Sequence, residues 1–402
     1  MAKRILIFSL AYHPFLGGAE LAVKEITDRI PSSDIEFEMI TLRFDSTLPK
    51  RERIGNILVH RIGFSKRNPT PEDLLRFPMY LNKVLYPLMA FLKAVLLDRR
   101  NKFDALWSIM TYMGFSAVFF KLLYRKIPYI LTLQDGDTLA HIKKRKRIRL
   151  VYPFLTQVFK QADMVQTISK FLEQFARDMG YKGRSEIIPN GVDVAIFGAK
   201  VPRDEKKALE EGLNIGKKDK VIVTASRLVT KNAVDDVIHA VAMMPLTTKL
   251  LILGDGPLRG ELRSLAHALR VEDRVRFLGY VEQKDIPKYF SLADVFVRPS
   301  LSEGMGSAFV EAMAAGLPVI ATPVGGIPDF LFDRITGLFC EPNNPRSIAE
   351  KVELFLEAKL LREMIVASAK KMAEERYDWK VIVADMKKRV FYPVFPIHKD
   401  VV

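Results

Sequence analysis

Cysteine is almost missing from this 402-residue chain, which carries Cys340 and no other. A single thiol excludes an intrachain disulfide framework and fits a reducing compartment, so a cytoplasmic location is expected. Long hydrophobic runs are missing too. No segment approaches the roughly 18 uninterrupted apolar residues of a membrane span. The most apolar stretch, "FPMYLNKVLYPLMAFLKAVLL", is broken by Asn82, Lys83, Pro87 and Lys93. The N-terminus, "MAKRILIFSL", has neither the apolar core nor the small-residue cleavage site of a signal peptide and reads as a first strand. No short internal repeat or low-complexity tract is present. The length suits two domains.

Negative charge is scarce in the first half. Residues 1–198 hold 31 Lys/Arg against 19 Asp/Glu, a net of +12, whereas residues 199–402 hold 31 against 28. The excess peaks in "HIKKRKRIRL" (141–150), with six Lys/Arg in ten residues. Such a field suggests an anionic partner for the first half. Nucleic acid is one reading of the charge. It explains neither the α/β layout below nor the carboxylate pattern, and no nucleic-acid-binding motif is visible, so none is expected as a partner.

What is present is alternation. Short β-rich runs, among them Arg4–Leu10, Ala105–Ile109 and Tyr129–Leu133, then Lys220–Ala225, Lys249–Leu253 and Val295–Arg298, are separated by helical patterns such as Ala233–Met244 and Pro257–Leu269. That predicts two Rossmann-like α/β domains with doubly wound parallel sheets facing a cleft. The polar stretch Phe197–Lys218 reads as the linker. The expected domains are 1–198, completed by the C-terminal segment 379–402, and 199–378.

The densest stretch is Ser300–Gly326, "SLSEGMGSAFVEAMAAGLPVIATPVGG". A strand leaves the core, a turn with two glycines follows, and a helix then runs to the stop signal Gly316. Amides near a helix N-terminus bind phosphate, because unpaired N–H groups and the helix dipole point outward together. Glu303 and Glu311 beside such a site would face hydroxyls rather than phosphate. A nucleotide sugar, with its ribose, diphosphate and hexose, has that layout.

"EGMG…EAMAAGLPV" resembles the donor-site signature of retaining glycosyltransferases of family 4, which have the two-domain GT-B architecture. Met305 stands where an aromatic is commoner. "GGAE" (17–20), "IPNGVD" (188–193), "SRLVTKN" (226–232), "LGDGP" (253–257), "VRFLGYV" (275–281), "GGIPD" (325–329) and "GLFCEPNNP" (337–345) line up in the same order. The resemblance spans nearly the whole chain and is densest from 186 to 345. It implies hexosyl transfer from a UDP- or GDP-linked sugar, with retention and without a metal or other cofactor. Arg227 and Lys231 resemble the cation pair on the donor diphosphate. Glu311 would take the ribose hydroxyls and Glu303 the transferred sugar. The amides of Met305, Gly306 and Ser307 would serve the diphosphate or the sugar, Gly17 and Gly18 would let the first domain close on the phosphates, and the Gly254 loop would border the base. "GDGP" is not a dinucleotide fingerprint, since Arg259 stands where the third glycine belongs. Pro257 reads as the first residue of a helix.

One position departs from the family. Where many members carry a histidine after the strand "YILTLQDGD", this chain has Gln134 and then Asp135. Either those two handle the acceptor by hydrogen bonds, or the histidine's counterpart lies one residue away. His13, after the first strand, reads as structural. "DGD" (135–137) has Asp-x-Asp spacing but no persuasive place for a metal. A nucleotide-sugar epimerase or hydrolase of the same architecture is the rival reading.

The basic run 141–150, beside "LVYPF", suits an anionic membrane surface, as does the helix 84–97, with Val84, Leu85, Leu88, Met89, Leu92, Val95 and Leu96 on one face. That would make the enzyme peripheral on the inner face of the membrane with a lipid-linked or envelope glycan acceptor. The alternative is a core helix and a solvated basic face. Sugar, base, acceptor and oligomeric state are not legible.

Overall fold

The computed structural model describes residues 2–15, 17–70, 73–134 and 146–395. Two compact units divide the chain, Met1–Pro189 with Trp379–Val402, and Asn190–Asp378.

The first unit is built on β1 (Lys3–Phe8), β2 (Ile35–Leu42), β3 (Arg51–Ile54), β4 (Ile57–Ile62), β5 (Ala105–Ile109), β6 (Tyr129–Leu133), β7 (Met164–Thr167) and β8 (Arg184–Ile187). They form one sheet in the order β3-β4-β2-β1-β5-β6-β7-β8. All pairings are parallel except β3 with β4. Ile5, Leu6, Ile7 and Phe8 are all fully buried, as a parallel strand covered on both faces requires. β3 was not legible in the sequence. Its residues, "RERI", carry no apolar alternation because the strand is a half-exposed edge.

The second unit carries β9 (Lys220–Ala225), β10 (Thr248–Leu253), β11 (Val275–Gly279), β12 (Val295–Arg298), β13 (Val319–Ala321) and β14 (Leu338–Phe339). This sheet is wholly parallel, in the order β11-β10-β9-β12-β13-β14. The fold is therefore two doubly wound parallel-sheet α/β domains.

Two boundary expectations need correction. Residues 190–198 belong to the second unit rather than the first. Val192 donates its amide to the Tyr377 carbonyl at 2.7 Å, and Phe197 packs on Phe290 with ring centroids 6.1 Å apart. The polar stretch after it is not a free linker, since it contains the helix Arg203–Gly212. Lys206 of that helix bonds the Ser291 carbonyl at 2.6 Å, and Glu205 pairs with Lys288 at 2.8 Å.

The chain then returns. Trp379, Ile382, Met386, Val390 and Phe391 join the core of the first unit. Phe391 meets Trp107 edge-on at 5.0 Å, and Arg389 grips Glu186 through Nε and Nη2 at 2.9 and 2.7 Å. Residues 396–402 lie outside the described residues.

Candidate active site

In an open α/β sheet, ligands bind at the carboxyl ends of the strands where the strand order reverses. In the second unit that point lies between β9 and β12. The segments leaving these two strands carry Arg227 and Lys231 on one side and Glu303 to Glu311 on the other. They are tied directly: Leu301 donates its amide to the Lys231 carbonyl at 2.7 Å. Asn232 binds the Arg227 carbonyl through Nδ2 at 2.6 Å and accepts from Arg298 Nη2 at 3.1 Å. Ala233, next in sequence, is held at φ +46°, a left-handed conformation that costs a non-glycine residue energy and clusters at functional sites. Arg227 is exposed and Lys231 half-buried. Among the described residues, neither has an acidic partner.

Both glutamates are buried rather than solvated. Glu303 Oε2 accepts from Arg298 Nη2, and Oε1 accepts from the Gly304 amide at 3.2 Å. Arg298 in turn lies over the Phe309 ring, 5.2 Å from its centroid. The glycine pair after β13 holds this turn from below. Gly325 sits at φ +56°, a Cβ there would stand 1.9 Å from the Glu303 carbonyl oxygen, and Gly326 donates to that oxygen at 3.0 Å. Gly306, at φ +82°, ends the turn and caps the helix Ser307–Ala314. Among the described residues, the amides of Met305, Gly306 and Ser307 have no protein acceptor. They stand at the positive end of that helix, where an anion is favoured.

Glu311 lies inside the helix, and its Oε1 accepts from Gln283 Nε2 at 3.1 Å. Burial pushes its carboxyl up to about 7, outweighing the Gln283 hydrogen bond and the Arg298 charge that act to lower it. The stability consequence has a definite sign. Between about pH 4.5 and 7 the unfolded chain has released this proton while the folded chain keeps it. Stability therefore falls as pH rises through that window, and the contribution is fully present only below it. Glu311→Gln should remove the fall, making the variant more stable than the parent at pH 8 by on the order of 3 kcal/mol and no more stable at pH 4. Urea unfolding at the two pH values checks this.

The loop after β10 gives its glycines a packing role. A Cβ at Gly254 (φ +135°) would stand 1.9 Å from the Ser226 carbonyl, and one at Gly256 would stand 2.4 Å from the Leu228 carbonyl. They let this loop press against the β9 loop that carries Arg227. Pro257 does not open the helix as the sequence suggested, since the helix runs Arg259–Ala268.

In the first unit the order reverses between β1 and β5. Gly17 and Gly18 follow β1, and Gly18 opens the helix Gly18–Asp28. The Gly17 amide donates to Glu20 Oε2 at 2.9 Å, and nothing described lies within 4 Å of a Cβ at Gly18. Neither glycine lies at a positive φ; a Cβ at Gly17 would stand 2.8 Å from Glu20 Oε2, whereas Gly18 borders open space. Met110, after β5, has φ +66° and ψ 160°, a region close to glycine-only. Gln134 follows β6, one strand further out, while Asp135 and the Asp135–Asp137 pair lie outside the described residues. His13 is exposed, and its backbone carbonyl accepts from Arg61 Nη2 at 2.9 Å.

Sequence reasoning missed Arg298, Asn232 and Gln283. Arg298 had a signal, a charged residue ending the apolar strand "VFVR". Asn232 and Gln283 had none, because only folding brings them to Arg298 and Glu311.

Two family models match the chain. Residues 16–196 match Glycosyltransferase Family 4, and residues 205–372 match Glycosyl transferases group 1. An uncharacterized glycosyltransferase of Methanocaldococcus jannaschii is 26% identical over 391 residues, 95% of this chain and 96% of the relative. A GDP-mannose-dependent monoacylated alpha-(1-6)-phosphatidylinositol monomannoside mannosyltransferase of Corynebacterium glutamicum is 31% identical over 240 residues, 57% of this chain and 62% of that one. Among solved structures, Anabaena HepE in complex with UDP-glucose superposes with a TM-score of 0.76 at 20% identity, covering 96% of this chain and 98% of that one. The chain belongs to the glycosyltransferases, as a family 4-type member with the GT-B fold.

Proposed function

We propose that the enzyme transfers a hexosyl group from a nucleoside diphosphate sugar to an acceptor hydroxyl, with retention at the anomeric carbon and without a metal ion. The observation that carries this reading is the grouping at the β9/β12 switch point. There, two cations without acidic partners and three amides without acceptors stand beside two buried carboxylates. Arg227, Lys231 and the amides of Met305, Gly306 and Ser307 take the diphosphate. Glu311 accepts from the ribose hydroxyls. Glu303, held by Arg298, has lone pairs left for a hydroxyl of the sugar.

The bond from the anomeric carbon to the β-phosphate oxygen breaks and the bond to the acceptor oxygen forms on the same face. The acceptor's proton passes to the departing phosphate oxygen. The protein's part is positioning and stabilisation of charge on the leaving group. Gln134 and Asp135 are assigned to the acceptor side, and the acceptor is a lipid-linked or envelope glycan. The names of two similar proteins, one GDP-mannose-dependent and acting on a phosphatidylinositol mannoside and one bound to UDP-glucose, support a nucleotide-sugar donor and leave UDP and GDP both open.

A thermal-shift panel of UDP-, GDP- and ADP-sugars identifies the donor. Product analysis with and without acceptor separates transfer from epimerisation or hydrolysis. Transfer should persist in excess chelator. Activity that vanishes there and returns only with Mg²⁺ or Mn²⁺ would overturn the assignment of diphosphate binding to Arg227 and Lys231.

A further inference from the structure

The helix Leu81–Asp98 buries one face and leaves the other bare. Tyr86, Ala90 and Ala94 are fully buried, and Phe91 meets Phe119 of the neighbouring helix at 6.2 Å. On the opposite side Val84, Leu88, Leu92 and Leu96, spaced at four residues, are each more than half exposed. Just ahead of the helix, Leu75 and Phe77 are 79% and 77% exposed. Single exposed leucines are ordinary, but a continuous ridge of them marks an interaction surface.

Along one side of the same helix lies a pocket of about 220 Å³. Lys93, Leu97 and Arg100 line it from the helix and the residues just after it, and Lys50 and Arg51 line it from the chain entering β3. His60, Arg61, Glu38 and Asn101 complete the polar part of the wall. Glu38 is the only carboxylate there, and it is already neutralised: His60 Nε2 lies 2.7 Å from Oε2, and Arg4 pairs with Oε1. Arg61 is paired with Glu52. Lys50, Arg51, Lys93 and Arg100 have no acidic partner among the described residues. The pocket is thus a cationic recess bordering an apolar ridge.

We propose that this face of the first unit docks on an anionic phospholipid surface, with a lipid phosphate in the Lys50–Arg51–Lys93–Arg100 pocket and the leucine ridge in the acyl boundary. The two chemistries side by side are what select this occupant. The headgroup boundary of an anionic leaflet offers phosphate next to hydrocarbon, and a surface helix uses both. A second copy of the chain would bring a second unpaired cationic recess to the contact. No described helix is long and apolar enough to cross the membrane, so the contact is one of lying on the surface. Of the basic run 141–150, the other membrane candidate in the sequence, residues 141–145 lie outside the described residues. The inference stands apart from the donor chemistry, since vesicle binding and nucleotide binding are read separately.

Co-sedimentation of the full chain with vesicles tests it. Binding is expected to phosphatidylglycerol–phosphatidylcholine vesicles, not to phosphatidylcholine alone, and should weaken in high salt. Lys93→Gln/Arg100→Gln should weaken it about 30-fold, at about 1 kcal/mol for each cation near an anionic leaflet. Leu88→Asp/Leu92→Asp should abolish it. Unchanged thermal melting of both variants establishes that they fold. Undiminished binding by either variant, or equal behaviour toward both vesicle types, overturns the proposal. Inorganic phosphate is the control probe. A phosphate-induced melting shift that Lys93→Gln/Arg100→Gln removes, without vesicle binding by the parent, identifies a soluble-anion site and also overturns lipid docking.

Discussion

Lys231→Ala is expected to lower turnover by about 10²–10³-fold with little change in the donor KM. The reason lies in when the charge is needed. Negative charge on the diphosphate grows as the glycosidic bond breaks, so a cation on it stabilises the transition state more than the bound donor. Lys231 is suited to that task because its backbone is locked, with its carbonyl holding the Leu301 amide, while among the described residues no acid competes for its ammonium. Glu311→Ala should do the opposite, weakening donor binding while sparing turnover, because ribose contacts are the same in both states. Steady-state kinetics over a range of donor concentrations separates the two. Lys231→Ala kinetics that match the parent would sink the assignment of this residue to the leaving group.

Arg298→Met should cost about 3–5 kcal/mol of stability and most of the activity. The guanidinium and the Glu303 carboxylate are each about nine-tenths buried, and they pair directly. Removing the arginine strands a buried negative charge, which is far more costly than the net worth of the pair. The Glu303–Gly306 turn would also lose a tether on the side where Arg298 reaches Asn232 and the β9 loop. The companion Arg298→Met/Glu303→Gln removes the stranded charge and should regain more than half of the lost stability while remaining inactive. Chemical unfolding measures the first effect, and transfer assays measure the second. A single variant as stable as the parent would mean that Glu303 finds water or another partner, and the turn would then not depend on this pair.

The positions of the carboxylates were readable, but their states were not. "EGMG…EAMAAG" announces a turn, a helix and two acids in order. It says nothing of whether Glu311 is solvated or enclosed, and enclosure is what raises its carboxyl to about 7. The glycines of "GGIPD" and "GDGP" likewise appear in the sequence as landmarks. Their use is tertiary: Gly325 lets a loop press on the Glu303 carbonyl, and Gly254 lets another press on Ser226.

By itself the sequence determined the α/β class, the two-domain plan, the places of nearly all strands along the chain and the segment that bears the candidate site. Those follow from local patterns, in which apolar runs of strand length alternate with helical periodicity and are punctuated by glycine. The edge strand β3 escaped because a half-exposed strand needs no apolar alternation. Only the tertiary structure decided that residues 190–198 pack with the second unit, that Arg298 neutralises Glu303, and that the helix Leu81–Asp98 buries its tyrosine and alanines while exposing Leu88, Leu92 and Leu96. Each depends on partners distant in sequence or on which face of an element is covered, and no periodicity encodes that. A helix this rich in apolar residues has the same pattern whether it is core or surface; the elements it packs against decide which residues are left to the solvent.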